Sequence, residues 1–198
     1  MLKKITTMFY FTLKNISLKF LIFSGDYMKI KGDGFIIRNF LFEDAPSLSK
    51  HANNSKIWIN LRDHFPHPYT LEDAESFISM VNLADPVTNY AIVIEESCVG
   101  AIGFVPGKDF YKRTAEVGYW LGEEYWNKGI MTKALLLFSN FIFDYFDIIR
   151  IQASVFDWNP ASSKVLTKAG FELEARLRKN IIKNGTVVDE LIFAKLKN

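Results

Sequence analysis

Ala115-Glu116-Val117-Gly118-Tyr119-Trp120-Leu121, continuing through Tyr125-Trp126-Asn127-Lys128-Gly129-Ile130-Met131-Thr132, is the stretch on which the fold turns. The first part is an apolar run of strand length. The second reaches a glycine just before Ile130, Ala134, Phe138, Phe141 and Tyr145, which recur at helical spacing to about Phe146. Strand, loop and helix thus follow one another. The first amide N–H groups of a helix have no partner within it and carry partial positive charge, so such a start can hold a diphosphate without an arginine cluster. Gly129 lets the backbone come close. On spacing alone the pattern also fits an ordinary connection.

Downstream, residues 148–156 read as a strand, Pro160 opens a second helix in its first turn, and Gly170 closes it. Asn159-Pro160-Ala161-Ser162-Ser163-Lys164-Val165, followed by Lys168-Ala169-Gly170-Phe171, reads by itself as a short helix capped by Asn159 and needs no ligand. Residues 171–182 and 187–196 then flank Asn184-Gly185, a strong hairpin signal.

Upstream, runs at 89–95 and 98–105 are separated by Glu96-Ser97 and predict a hairpin, which the strand at 115–121 extends into an antiparallel meander. Residues 34–39 form a short strand, and Glu43-Asp44-Ala45-Pro46 starts a helix running to about Ala52. A shorter helical piece ends near Ile59, and Pro66 and Pro68 then exclude regular helix across residues 62–69. Thr70-Leu71-Glu72-Asp73 caps a helix that buries Ala74, Phe77, Ile78 and Val81 and stops near Leu83. The order predicts a mixed α/β (α+β) sheet with flanking helices.

The composition agrees with one domain, since 198 residues with 49% hydrophobic content, including 18 Phe, can bury a substantial core. A net charge of +2, from 24 basic and 22 acidic residues spread along the chain, argues against nucleic acid as the main partner. The single cysteine, Cys98, excludes an internal disulfide and a cysteine-rich metal site and reads as a small buried hydrophobe. Residues 1–27 begin with Lys3 and Lys4 before apolar positions, but Lys14 and Lys19 interrupt the pattern, so no membrane span is expected. The expectation is a non-domain extension at 1–27, with an amphipathic surface segment or a targeting segment as the alternatives, and a working domain at 28–198 in the cytoplasm.

Taken together, the three motifs at 115–121, 125–132 and 159–171 resemble the GNAT superfamily of acetyl-CoA-dependent N-acetyltransferases. The likeness covers residues 30–197 and is nearest to the Rim-type branch, which contains the ribosomal-protein N-terminal acetyltransferases. It implies a mostly antiparallel central sheet in which the strand ending at Leu121 diverges from the strand ending at Phe156, making a wedge for the pantetheine arm. It further implies that Tyr119, Trp120, Leu121 and Asn159 meet that arm, and that the amides of Lys128, Gly129, Ile130, Met131 and Thr132 receive the diphosphate. The usual loop is Arg/Gln-x-x-Gly-x-Gly/Ala, and this chain departs from it at Trp126 and Met131. Met131 adds a side chain near the expected phosphates.

Acetyl transfer needs a neutral amine, a stabilised oxyanion and a protonated thiolate. Many superfamily members carry a tyrosine acid seven residues after the asparagine, where this chain has Leu166. Ser162 matches the serine proposed for that role in the Rim-type branch, and as a first-turn helix serine it equally fits a cap. Glu116 is the candidate base, with a solvated or lysine-paired strand glutamate as the plain alternative; His64 and His67 are further candidates. The resemblance puts residues 60–69 at the acceptor entrance, where Arg62, Asp63, His67 and Tyr69 would line it; a proline-stiffened aromatic loop equally fits a lid packed on the helix after Thr70. The implied partners are acetyl-CoA, with no metal, and an amine that is a protein N-terminus or a small molecule. A monomer or homodimer away from membranes is expected. A non-catalytic acyl-CoA-binding module is the competing reading, because position 166 lacks the usual tyrosine.

Overall fold

The computed structural model describes residues 28–197, so the expectations for residues 1–27 lie outside it. In chain order the elements are β1 (Lys29–Lys31), β2 (Ile36–Arg38), α1 (Ala45–Ala52), α2 (Ser55–Trp58), α3 (Leu71–Asn82), β3 (Asn89–Ile94), β4 (Ser97–Pro106) and β5 (Thr114–Leu121). They continue with α4 (Ile130–Tyr145), β6 (Arg150–Phe156), α5 (Pro160–Lys168), β7 (Glu172–Lys183) and β8 (Thr186–Leu196). One eight-stranded sheet runs β1-β2-β3-β4-β5-β6-β8-β7, antiparallel throughout except for β5 and β6.

Period-two alternation divides the interior into two cores. On β3, Tyr90 and Ile92 pack with Leu135, Phe138 and Ile142 of α4 and Leu166 of α5. Their neighbours Ala91 and Val93 pack with Leu48 of α1 and Ile78 and Val81 of α3. The phenylalanines concentrate in the α4 layer, where Phe104, Phe138, Phe141 and Phe146 meet as tilted, stacked and edge-on rings. Cys98 is fully buried, its thiol donating weakly to the Gly100 carbonyl at 3.6 Å, and burial pushes it up to about 12.

Local chemistry explains most element ends. Thr70 and Asp73 form the expected capping box on α3. Asn184 and Gly185 both take positive φ, 47° and 75°, as a two-residue primed hairpin turn requires. The β3–β4 turn corrects the expected position: Glu95 and Glu96 hold the positive φ values, 47° and 66°, while Ser97 pairs with Ile94 inside the ladder. Facing strands set that register, overriding the poor fit of two glutamates to the turn. The short β1 carries no apolar pattern of its own and is defined by its pairing with β2.

Candidate active site

β5 and β6 pair only from Thr114↔Arg150 to Glu116↔Gln152. Beyond that rung β5 stays bonded to β4 as far as Leu121, and β6 to β8 as far as Phe156, so the two strands part and open a wedge with Glu116 at its apex. Alternation puts Glu116, Gly118 and Trp120 on one face of β5 and Val117, Tyr119 and Leu121 on the other. Gly118 is exposed, and a Cβ built there would meet nothing within 4 Å, so backbone is open to an incoming group.

The loop at the wedge mouth is held in an unusual backbone shape. Asn127 and Gly129 both lie in the left-handed region, with φ of 59° and 74°, and Gly129 is the N-cap of α4. Among the described residues no side chain caps that helix, and the first amide to find an acceptor is Lys133, bonded to the Gly129 carbonyl at 3.1 Å. Among the described residues the amides of residues 127–132 have no backbone or side-chain acceptor, and a Cβ at Gly129 would enter open space. These features suit an anionic diphosphate. Trp126, which departs from the usual loop, braces it: the indole Nε1 donates to the Leu121 carbonyl at 2.6 Å and ties the loop to the end of β5. Met131 turns its side chain into the α4 core at 7% exposure, leaving only its amide at the loop. Lys128 extends 5.5 Å above the Tyr125 ring.

At the start of α5, the Asn159 Oδ1 accepts from the Ser162 amide at 3.1 Å, the expected cap. Among the described residues its Nδ2 group has no acceptor. The Ser162 hydroxyl lies 2.9 Å from the phenol of Tyr119. Burial pushes that phenol up to about 12, the hydrogen bond with Ser162 working the other way. Leu166 is fully buried in the α4 core.

The segment between α2 and α3 covers the Glu116 face. Arg62 forms an ion pair with Glu116, their side chains 64% and 33% exposed. Asp63 accepts from the Lys183 ammonium at 2.8 Å, and that ammonium sits 4.4 Å from the centre of the Trp58 ring. His67 stacks on the same indole at 5.4 Å, and the Asn60 side chain accepts from the Trp158 indole at 3.1 Å. Phe65 meets Trp120 edge-on at 6.0 Å. Tyr69 is buried beneath the loop against Phe65, its phenol also pushed up to about 12 by burial. His64 is exposed. Glu190 shares the Glu116 face through its Phe156 pairing, but its two oxygens accept from Ser154 and Asn180.

Sequence reasoning did not single out Trp58, Asn60, Trp158 or Lys183. A lysine beside a hairpin turn reads as solvated, and only the fold reveals that its side chain is 2% exposed. Among the described residues no His, Cys, Asp or Glu cluster could hold a metal ion, and no helix is long and apolar enough to cross a membrane.

Comparison with known proteins adds an independent line. Residues 35–172 match the family model described as an acetyltransferase (GNAT) domain. An uncharacterized N-acetyltransferase, YoaA of Bacillus subtilis (strain 168), is 26% identical over 182 residues, covering 85% of this chain and 96% of YoaA. The ribosomal-protein-serine acetyltransferase of Escherichia coli (strain K12) is 29% identical over 107 residues, 54% of this chain and 59% of that protein. Among solved structures, the microcin C7 self-immunity acetyltransferase MccE in complex with acetyl-CoA and AMP superposes with a TM-score of 0.74 at 26% identity, covering 84% of this chain and 94% of MccE.

Proposed function

The chain belongs to the GNAT acetyltransferase family, and from that premise we propose that this N-acetyltransferase passes the acetyl group of acetyl-CoA directly to the α-amino group of a protein N-terminus. The observation that carries this reading is the parting of β5 and β6 beyond Glu116, with unpartnered amides at its mouth and proton-handling side chains on both faces. Acetyl-CoA would place its diphosphate on the amides of Lys128, Gly129, Ile130, Met131 and Thr132. Its pantetheine arm would run along Tyr119, Trp120 and Leu121, with Asn159 Nδ2 free to donate to it.

On the opposite face the acceptor ammonium would replace the Arg62 guanidinium at Glu116, which takes its proton as the amine attacks the thioester carbon. Ser162 would protonate the departing thiolate. Arg62, Asp63 and His67 would line the acceptor entrance, with Tyr69 supporting the loop from beneath. A protein acceptor is favoured by the ribosomal-protein-serine acetyltransferase among the similar proteins and by the position of Arg62, whose side chain over Glu116 is 64% exposed and so displaceable by a chain end. The transferase domain is taken as residues 28–198, a span that contains the family match at residues 35–172.

Turnover of acetyl-CoA, read as free thiol, tests this reading against peptides with varied N-termini, amino acids, polyamines and aminoglycosides. Peptides should give the highest kcat/KM; a tenfold preference for any small amine would reassign the acceptor. Glu116→Gln should lose at least about tenfold in rate at low pH, where most amine is protonated, and approach the parent at high pH. An equal loss at every pH would leave Glu116 as scaffold.

A further inference from the structure

Tyr119 has a contact that binding a pantetheine arm does not explain. Serine and threonine hydroxyls in a helix ordinarily bond a carbonyl one turn back. Two in α5 do so: Ser163 donates to the Asn159 carbonyl at 3.5 Å and Thr167 to the Ser163 carbonyl at 3.0 Å. Ser162 differs, because its hydroxyl meets the Tyr119 phenol at 2.9 Å, and that phenol also lies 3.4 Å from the Ser162 carbonyl oxygen. The contact joins residues 43 positions apart across the wedge, where β5 has already left β6. Leu166, farther along α5, has no proton to give.

We propose that Tyr119 is a positioning residue for Ser162, its phenol donating to the serine oxygen so that the serine's own proton points into the wedge towards the leaving sulfur. This rests on the reading of Ser162 as the group that protonates the thiolate. In the full reaction the amine nitrogen bonds the acetyl carbon, the carbon–sulfur bond breaks, and its electron pair goes to sulfur. Sulfur takes the Ser162 proton, Ser162 recovers one from Tyr119, and the phenol recovers one from water. The acceptor ammonium gives up two protons through Glu116 to water, so one proton is released per amide and thiol formed. A phenol held up to about 12 stays protonated throughout an ordinary assay range.

The test is a double-mutant cycle in the full chain with Tyr119→Phe, Ser162→Ala and the double variant. Rates are taken per coenzyme A-binding site counted by calorimetry, so that unfolded protein does not register as slow chemistry. Each single variant should lower kcat about tenfold or more while KM for acetyl-CoA and for peptide stays within about twofold, and the double variant should be no slower than Ser162→Ala. A slow Ser162→Ala beside a Tyr119→Phe of parental kcat, or losses that multiply in the double variant, would remove the role from Tyr119 and keep it for Ser162. A parental rate for Ser162→Ala would instead overturn the reading of Ser162 beneath the inference.

Discussion

The two sides of the wedge are built from different materials. The side proposed for the cofactor is mostly main chain: two strands that part after one short paired stretch, a loop with two left-handed residues, and the open amides of α4. The side proposed for the acceptor consists of side chains drawn from distant positions, with Arg62 meeting Glu116 across 54 residues and Lys183 meeting Asp63 across 120. Backbone geometry tolerates replacement of most side chains, whereas a surface of paired side chains changes with any one partner. One fold can therefore keep its donor and vary its acceptor.

The comparison breaks most directly at Gly129. Replacing it with Glu forces a side chain into φ of 74° and puts a negative charge where the open amides face. Calorimetry should show acetyl-CoA binding weakened at least about 30-fold, roughly 2 kcal/mol. Gly129→Ala should lose less, since its Cβ meets nothing within 4 Å and only the backbone conformation is penalised. Parental affinity in the Glu variant would mean that the diphosphate lies elsewhere.

A smaller effect belongs to the acceptor side. Lys183→Met keeps an apolar stem under Trp58 but removes the ammonium from the indole face and from Asp63. Peptide KM should rise about fivefold, near 1 kcal/mol, with KM for acetyl-CoA unchanged. Equal changes in both constants would show that the two sides are not separable.

The smallest effect lies on the seam between them, where His51 of α1 packs on the backbone of Gly122, just ahead of the cofactor loop. Burial lowers this imidazole from its ordinary 6.5, with Glu124 at 3.6 Å acting in the opposite direction and Lys50 adding to the lowering. The unfolded chain therefore takes up a proton more readily than the folded one. Stability from this group is complete above pH 6.5 and is lost as pH falls below it. His51→Gln should flatten the fall of the thermal midpoint between about pH 7 and pH 5, by a few degrees at most, as followed by circular dichroism. An unchanged slope would assign the acid sensitivity to other groups.

Much of the backbone framing the wedge was legible in advance because its signals are local. Pro160 and Gly170 bound a helix through their own backbone preferences, Gly129 is the residue that accepts the left-handed cap of α4, and Asn184-Gly185 forms its turn without help from the rest of the molecule. The hairpin at Glu95-Glu96 was displaced by one residue in the sequence reading because facing strands, and not turn preference, set its register. On the acceptor side the expected loop is present, but its connections to Trp158 and Lys183 carry no sequence spacing that could announce them.

The sequence by itself determined the order of elements, the glycine-led start of α4, and the candidacy of Glu116 and Ser162. Only the tertiary structure decided that Arg62 lies against Glu116, that Lys183 is buried beneath Trp58, and that the Tyr119 phenol reaches Ser162. Periodicity and capping act within a few residues and can be read along the chain. Which side chains meet across a wedge depends on where two strands cease to pair, and that is set by the whole sheet.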